Sequence, residues 1–158
     1  MVWMWALACV GQPVAEIGAD ETVVPDLDLR DQNDNPVGLR SLAADPLVLE
    51  FATMWASRLF DETLGADLVA ERGDEGLRYA VVLMQNEFSD PADAEDAKRF
   101  ADNFGVDTVF WAADPIQADD LVRAWPEFWL VDERGVLVAS EVGEAAEPGA
   151  MVEQYYTQ

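Results

Sequence analysis

The chain has 158 residues, 51% of them hydrophobic, which is enough for one domain with a real core and well outside the disordered range. Nine basic residues against 32 acidic ones give a net charge of −23, a field that repels phosphate backbones and excludes nucleic acid as a partner. With no histidine and one cysteine, Cys9, the chain can form no Ser-His-Asp triad, Cys-His pair, histidine metal site or intramolecular disulfide.

In chain order, the apolar run MVWMWALAC, Met1 to Cys9, is too short to span a bilayer as a helix. It resembles the end of a bacterial lipoprotein export signal, in which a short apolar run precedes a lipidated cysteine. That resemblance makes Cys9 the lipidation candidate and the only route to a membrane. It implies a periplasmic or membrane-anchored address. Two features depart from the pattern: no Lys or Arg precedes the run, and the leucine stands two residues before the cysteine rather than three. A mis-assigned start and an ordinary apolar N-terminus remain as alternatives, and they leave a cytoplasmic address open. The following VGQPVAEIGADETVVP reads as a tether. Residues 1–22 are therefore assigned to an apolar N-terminus and tether, and residues 23–158 to the domain.

LDLRDQNDNPVGLR alternates around Asn33-Asp34-Asn35-Pro36 and predicts a hairpin. Asp31, Asn33 and Asn35 match the first, third and fifth ligand positions of a calcium loop. Pro36 holds the glycine position, however, and Leu42 stands where the bidentate glutamate belongs, so the segment is read as a turn and no metal is assigned. Leu47 to Phe51 is a near-continuous apolar strand of the kind buried on both faces of a sheet, interrupted by the acid Glu50. Leu59, Phe60, Leu64, Leu68 and Val69 recur at helical spacing, and Gly73 and Gly76 close that helix.

LRYAVVLMQ predicts a second buried strand. SDPADAEDAKRFADNFG predicts a helix capped by Ser89 or Asp90, with Pro91 first and Gly105 past its end. DTVFWAAD is a third strand and IQADDLVRAW a short helix. EFWLVD and VLVASEV flank the turn ERG as an antiparallel hairpin, with at least one of Phe128 and Trp129 facing the core, and EPGAMVEQYYTQ forms a closing helix. Strands alternating with helices imply an α/β domain with a largely parallel sheet covered on both faces and an antiparallel edge.

Four pieces in this order resemble the thioredoxin-like superfamily, in particular the redoxin and TlpA-like thiol–disulfide proteins and, more distantly, the peroxiredoxins. They are VPDLDLRDQNDNPVGLRSL, PLVLEFATMW, RAWPEFWLVDERGVLV and the spacing between them, together covering about Val24 to Val142. The resemblance implies a thioredoxin-like fold: a central mixed sheet flanked by helices, with an N-terminal β-hairpin extension. It also implies a thiol–disulfide oxidoreductase or a peroxidase. Carried over by position, the two redox cysteines of the family fall on Ala56 and Leu59, its cis-proline on Pro126, and its buried proton-accepting acid on Glu50. Thr53 matches the threonine three residues before the peroxidatic cysteine, again without the sulfur.

Thiol–disulfide exchange requires a thiolate, which neither Ala56 nor Leu59 can supply. Ser57 has no histidine to activate it and reads as a helix cap. Arg58, the one cation near the corner, either holds a carboxylate or pairs with Glu62. The expectation is therefore a non-catalytic member of the fold that needs no cofactor. It would bind an extended peptide or protein in the groove formed by Trp55, Ala56, Ser57, Arg58, Trp125 and Pro126. The alternatives are the redox activity of the family and a structural surface lipoprotein. The acidity is read first as a solubility feature, as in a saline setting, and otherwise as the counterpart of a cationic partner.

Overall fold

The computed structural model describes residues 22–55, 64–106, 108–143 and 145–157. Its elements run β1 (Thr22–Val23), β2 (Asp28–Arg30), β3 (Pro36–Gly38), α1 (Leu39–Leu42), β4 (Leu47–Thr53), α2 (Leu64–Arg72), β5 (Arg78–Gln85), α3 (Ala94–Phe104), β6 (Val109–Ala112), α4 (Pro115–Asp119), β7 (Glu127–Val131), β8 (Val136–Val142) and α5 (Pro148–Tyr156). One eight-stranded sheet takes them in the order β1-β8-β7-β4-β5-β6-β2-β3.

The sheet is mixed, and less parallel than alternating strands and helices imply. Only β4–β5 and β5–β6 are parallel pairings; β7 lies antiparallel against the central strand β4. The last hairpin is therefore inside the sheet rather than at its margin. The reason is the short connection through α4, which returns the chain to the end of the sheet it has just left. From there β7 can only run backwards. Beyond β6, β2 joins antiparallel and carries β3 as its hairpin partner.

Strand β4 is buried at all seven positions, as expected of an apolar strand with helices on both faces. Leu47, Leu49 and Phe51 face one layer, with Leu39 and Leu42 of α1, Ala118 of α4 and Trp129. Val48 and Ala52 face the other, where Leu68 of α2, Met151 and Val152 of α5, and Ala97 and Phe100 of α3 pack. Phe128 and Trp129 are both buried, one on each face; Trp129 meets Phe51 edge-on with centroids 4.6 Å apart.

Three local expectations shift. Helix α3 begins at Ala94, capped by Asp93 rather than Ser89 or Asp90. The Asp93 carboxylate accepts from the N–H groups of Glu95 and Asp96, and Asp96 reaches back to the N–H of Asp93. This capping box satisfies more amide donors than a cap four residues earlier, and Pro91 is used instead to bridge Gln85. The helix expected over IQADDLVRAW contracts to Pro115–Asp119, capped by Asp114. The hairpin arm expected to reach Arg40 ends at Gly38, where α1 begins, and the link around it is helical. Gly105 ends α3 at φ 65°, and Gly76 follows α2 and a 3-10 turn at φ 91°; both are left-handed positions that favour glycine.

The calcium-like loop is an Asx turn. Asp31 Oδ1 accepts from the N–H groups of Asn33 (2.7 Å) and Asn35 (2.9 Å), and Oδ2 from the Asn35 amide (2.9 Å). These bonds, the Asn35 side chain foremost, hold the Asp31 carboxyl below its ordinary value.

Candidate functional site

The site lies where β4 and β5 end and β7 begins. The β4–β5 register shifts between Ala52 and Thr53, an irregularity of the kind that re-aims side chains at the end of a strand. Thr53 itself is buried. The chain then turns at Met54, whose N–H donates to Gln85 O at 2.8 Å. Trp55 follows, with its indole N–H donating to Gln85 Oε1 at 3.1 Å. Two bonds to one residue thus fix the exit from β4.

Trp55 is 43% exposed and meets Trp125 edge-on, with ring centroids 6.0 Å apart and planes at 81°. The Trp125–Pro126 peptide bond is cis, as the resemblance implied for that proline. The indole N–H of Trp125 is buried and finds no acceptor among the described residues. Of the residues singled out from the sequence, Trp55, Trp125 and Pro126 are thus brought together. Cys9, Ala56, Ser57, Arg58 and Leu59 lie outside the described residues, as does Glu62.

Glu50 sits beneath this corner on the face of β4 shared with Val48 and Ala52. It is 8% exposed, and its Oε2 accepts a hydrogen bond from the Tyr79 hydroxyl. Burial raises the Glu50 pKa above the ordinary 4.5, and the Tyr79 bond only partly offsets this. Burial, and then the Glu50 charge, push the Tyr79 phenol well above its ordinary value. The Glu50 carboxyl is thus hydrogen-bonded to a partner that the sequence did not reveal, because Tyr79 reads as one more half-apolar strand residue.

A second buried carboxylate, Glu127, was not singled out. It directly follows Pro126, is 2% exposed, and accepts four bonds: from the N–H of Arg123 (2.7 Å), Arg123 Nε (3.0 Å), Arg123 Nη2 (2.8 Å) and Trp129 Nε1 (2.9 Å). Arg123 Nη2 also donates to Ser140 Oγ at 2.9 Å. A charge this buried needs such a partner, and the network ties the loop that carries Trp125 to β7 and β8. The sequence signal was an acid entering an apolar strand with an arginine four residues before it.

Among the described residues no group of three or more His, Cys, Asp or Glu side chains is placed to hold a metal ion. Glu50 and Glu127 are both buried, and among the described residues the surface beside the tryptophans is aromatic.

Solved structures share this arrangement over most of the chain. A thiol:disulfide interchange protein from Bacteroides sp. covers 89% of this chain and 91% of its own, with a TM-score of 0.69 and 19% identity. The fold is thioredoxin-like. A thiol:disulfide interchange protein, DsbE, from Chlorobium tepidum covers 87% of this chain and 95% of its own, with a TM-score of 0.65 and 20% identity. The exposed lipoprotein thioredoxin of Streptococcus pneumoniae covers 85% of this chain and 100% of its own, with a TM-score of 0.61 and 18% identity. No protein-family model matches the chain, and no curated protein is significantly similar to it in sequence. Likeness at this level establishes the thioredoxin-like fold, while activity has to be argued from the residues. No helix among the described residues is long and apolar enough to cross a membrane.

Proposed function

We propose that this chain is a non-catalytic thioredoxin-fold binding module that takes an extended segment of a peptide or protein in the groove beside Trp55 and Trp125. The observation that carries the reading is the pair of edge-on tryptophans, one of them 43% exposed, at the end of the sheet. Ala56 and Leu59, one and four residues after Trp55, stand where the family's chemistry needs sulfur. A half-exposed indole anchored by Gln85 is a preorganised contact surface, because its orientation is already fixed before a ligand arrives. The backbone entering β7 beside Trp125 offers strand-type pairing to an extended ligand.

An extracytoplasmic address belongs to this proposal. It is supported by the lipoprotein-like run ending at Cys9 and by the exposed lipoprotein among proteins of the same fold. Two assays test the function together. Insulin reduction and peroxide consumption by the full chain are expected at buffer level. Turnover that persists in Cys9→Ser would defeat the non-catalytic reading. Titration with a library of extended peptides is expected to change tryptophan fluorescence, and Trp125→Ala should abolish the response. A library that produces no response removes the binding role.

A further inference from the structure

The end of the sheet that carries the tryptophans bears more apolar surface than the groove alone requires. Strands β4, β5 and β6 are parallel, so the loops after them leave the same end, and antiparallel β7 starts there. Three of the five exposed large hydrophobic side chains among the described residues stand on the segments that directly follow those strands, two on loops and one in the first turn of α4. They are Trp55 after β4, Phe88 after β5 at 75% exposure, and Ile116 after β6 at 74%. These segments are tightly bonded. Asn86 Oδ1 accepts from the N–H groups of Phe88 (2.9 Å) and Asp90 (3.1 Å), and Asp114 Oδ1 from Ile116 (3.1 Å). Single exposed hydrophobics are ordinary, but three that follow three adjacent parallel strands at one end of the sheet suit an interaction surface.

Among the described residues, the charges on these loops are acidic apart from Arg123, which is paired with Glu127. Arg58, which follows Trp55, lies outside the described residues. Asp90, Asp93, Asp114 and Asp120 are exposed there. The arginines nearby are already engaged: Arg99 with Glu87 and Asp96, and Arg123 with Glu127. A second copy of the chain would bring −23 against −23, and an anionic bilayer is repelled in the same way. An extended segment that seats alternate apolar side chains on these tips points its intervening basic side chains to the solvent side, still within a Debye length of about 10 Å of the surrounding carboxylates.

We propose that this rim, together with the Trp55–Trp125 groove, docks a cationic, apolar extended segment of a partner protein in which Lys or Arg alternates with large hydrophobic residues. The proposal rests on the groove reading above and adds the chemistry of the occupant.

The test uses the full chain and four synthetic peptides of equal length: Lys/Leu, Gln/Leu and Glu/Leu alternations and a Lys/Ser control. Affinity is followed by tryptophan fluorescence and calorimetry. The Lys/Leu peptide is expected to bind about tenfold or more tighter than Gln/Leu, and to weaken several-fold on going to about 0.5 M salt, where screening shortens the reach of charge. Phe88→Ser and Ile116→Ser should each weaken it about tenfold, as loss of a buried apolar anchor does. Val23→Ser, at the opposite end of the sheet, should leave it unchanged.

If no peptide binds, the groove reading and this one both fall. If Gln/Leu and Glu/Leu bind as well as Lys/Leu, the groove reading stands and this one is overturned. Equal binding of Lys/Ser, or indifference to Phe88→Ser and Ile116→Ser, reduces the effect to bulk charge and overturns it too. A concentration-dependent dimer lost in Phe88→Ser gives the rim to a second copy instead.

Discussion

Gly65 on α2 is held to glycine by packing rather than by backbone conformation, and its replacement by alanine tests the support of the buried acid. Its φ lies outside the left-handed region, so alanine suits the backbone and on helix propensity alone would gain up to about 1 kcal/mol. An ideal Cβ would, however, fall 2.7 Å from Tyr79 Cζ and nearer still to Cε1 and Cδ1. Carbon atoms pack at about 3.5–4.0 Å, so the overlap is about 1 Å or more. The Tyr79 ring cannot yield freely, because its hydroxyl is bonded to Glu50 and the ring is packed between two core clusters.

Overpacking of this kind costs about 1–3 kcal/mol, and displacing the hydroxyl from a buried carboxyl group adds about 1–3 kcal/mol. After the propensity gain, Gly65→Ala should destabilise by about 1–5 kcal/mol. In a chain of this size that corresponds to a fall in Tm of roughly 2–20 °C. The decisive measurement is a double-mutant cycle by thermal and urea unfolding. In a Tyr79→Ala background the clash is gone, so the same Gly65→Ala change should become neutral or stabilising, by up to about 1 kcal/mol. Should Tyr79→Ala not fold, Tyr79→Val also removes every atom from Cδ1 outward, which are the ones that the added Cβ meets. An equal cost of Gly65→Ala in both backgrounds would show that Tyr79 is not what excludes the side chain, and the packing argument would fail.

Glu50 should make stability depend on pH in the sense opposite to a paired carboxylate. Its folded pKa is raised by burial, so its contribution is fully present below the ordinary value of 4.5 and is lost as pH rises through the folded value. Glu50→Gln should therefore raise Tm at pH 8, change it little at pH 4, and flatten the slope between; a parallel shift at all pH values would contradict the assignment. Glu127→Ala removes the acceptor of four hydrogen bonds but leaves an Arg123 that solvent reaches, so it should cost about 1–3 kcal/mol in urea unfolding, with Glu127→Gln costing less because it keeps the shape. A cost below about 1 kcal/mol for Glu127→Ala would mean that the network does not hold the loop. Asp93→Ala should lose about 1 kcal/mol by removing the cap of α3, whereas Ser89→Ala and Asp90→Ala should sit within about 0.5 kcal/mol of the parent. The reverse ranking would restore the earlier cap.

What was legible in the sequence is what periodicity and apolar runs encode. β4, β5, β7 and β8 sit within a residue or two of their expected positions, because a strand buried on both faces has an unambiguous composition. The turn glycines were equally plain, since Gly105 and Gly76 need positive φ. Strand direction was not legible. Alternation of strands and helices suggests parallel pairing, yet whether a crossover completes depends on how far its helix travels, and the five-residue α4 is too short to return the chain to the other end of the sheet. The competition for the α3 cap was also hidden: Ser89, Asp90 and Asp93 all have the right side chain, and only the reciprocal bond from Asp96 chooses among them.

In the candidate site, Trp55, Trp125 and Pro126 were readable as matches to a known pattern; Tyr79 was not, because its role arises from a contact across strands, and Glu127 showed only as an acid four residues after an arginine. Those two residues also explain how the corner keeps its shape without a disulfide. Gln85 holds Trp55 from β5, the Arg123–Glu127–Ser140 network anchors the Trp125 loop to β7 and β8, and the Tyr79–Glu50 bond fills the space beneath. None of these contacts involves sulfur. The geometry of the corner is thus maintained by the sheet and its buried polar pairs. A scaffold of that kind suits the recognition role proposed for it.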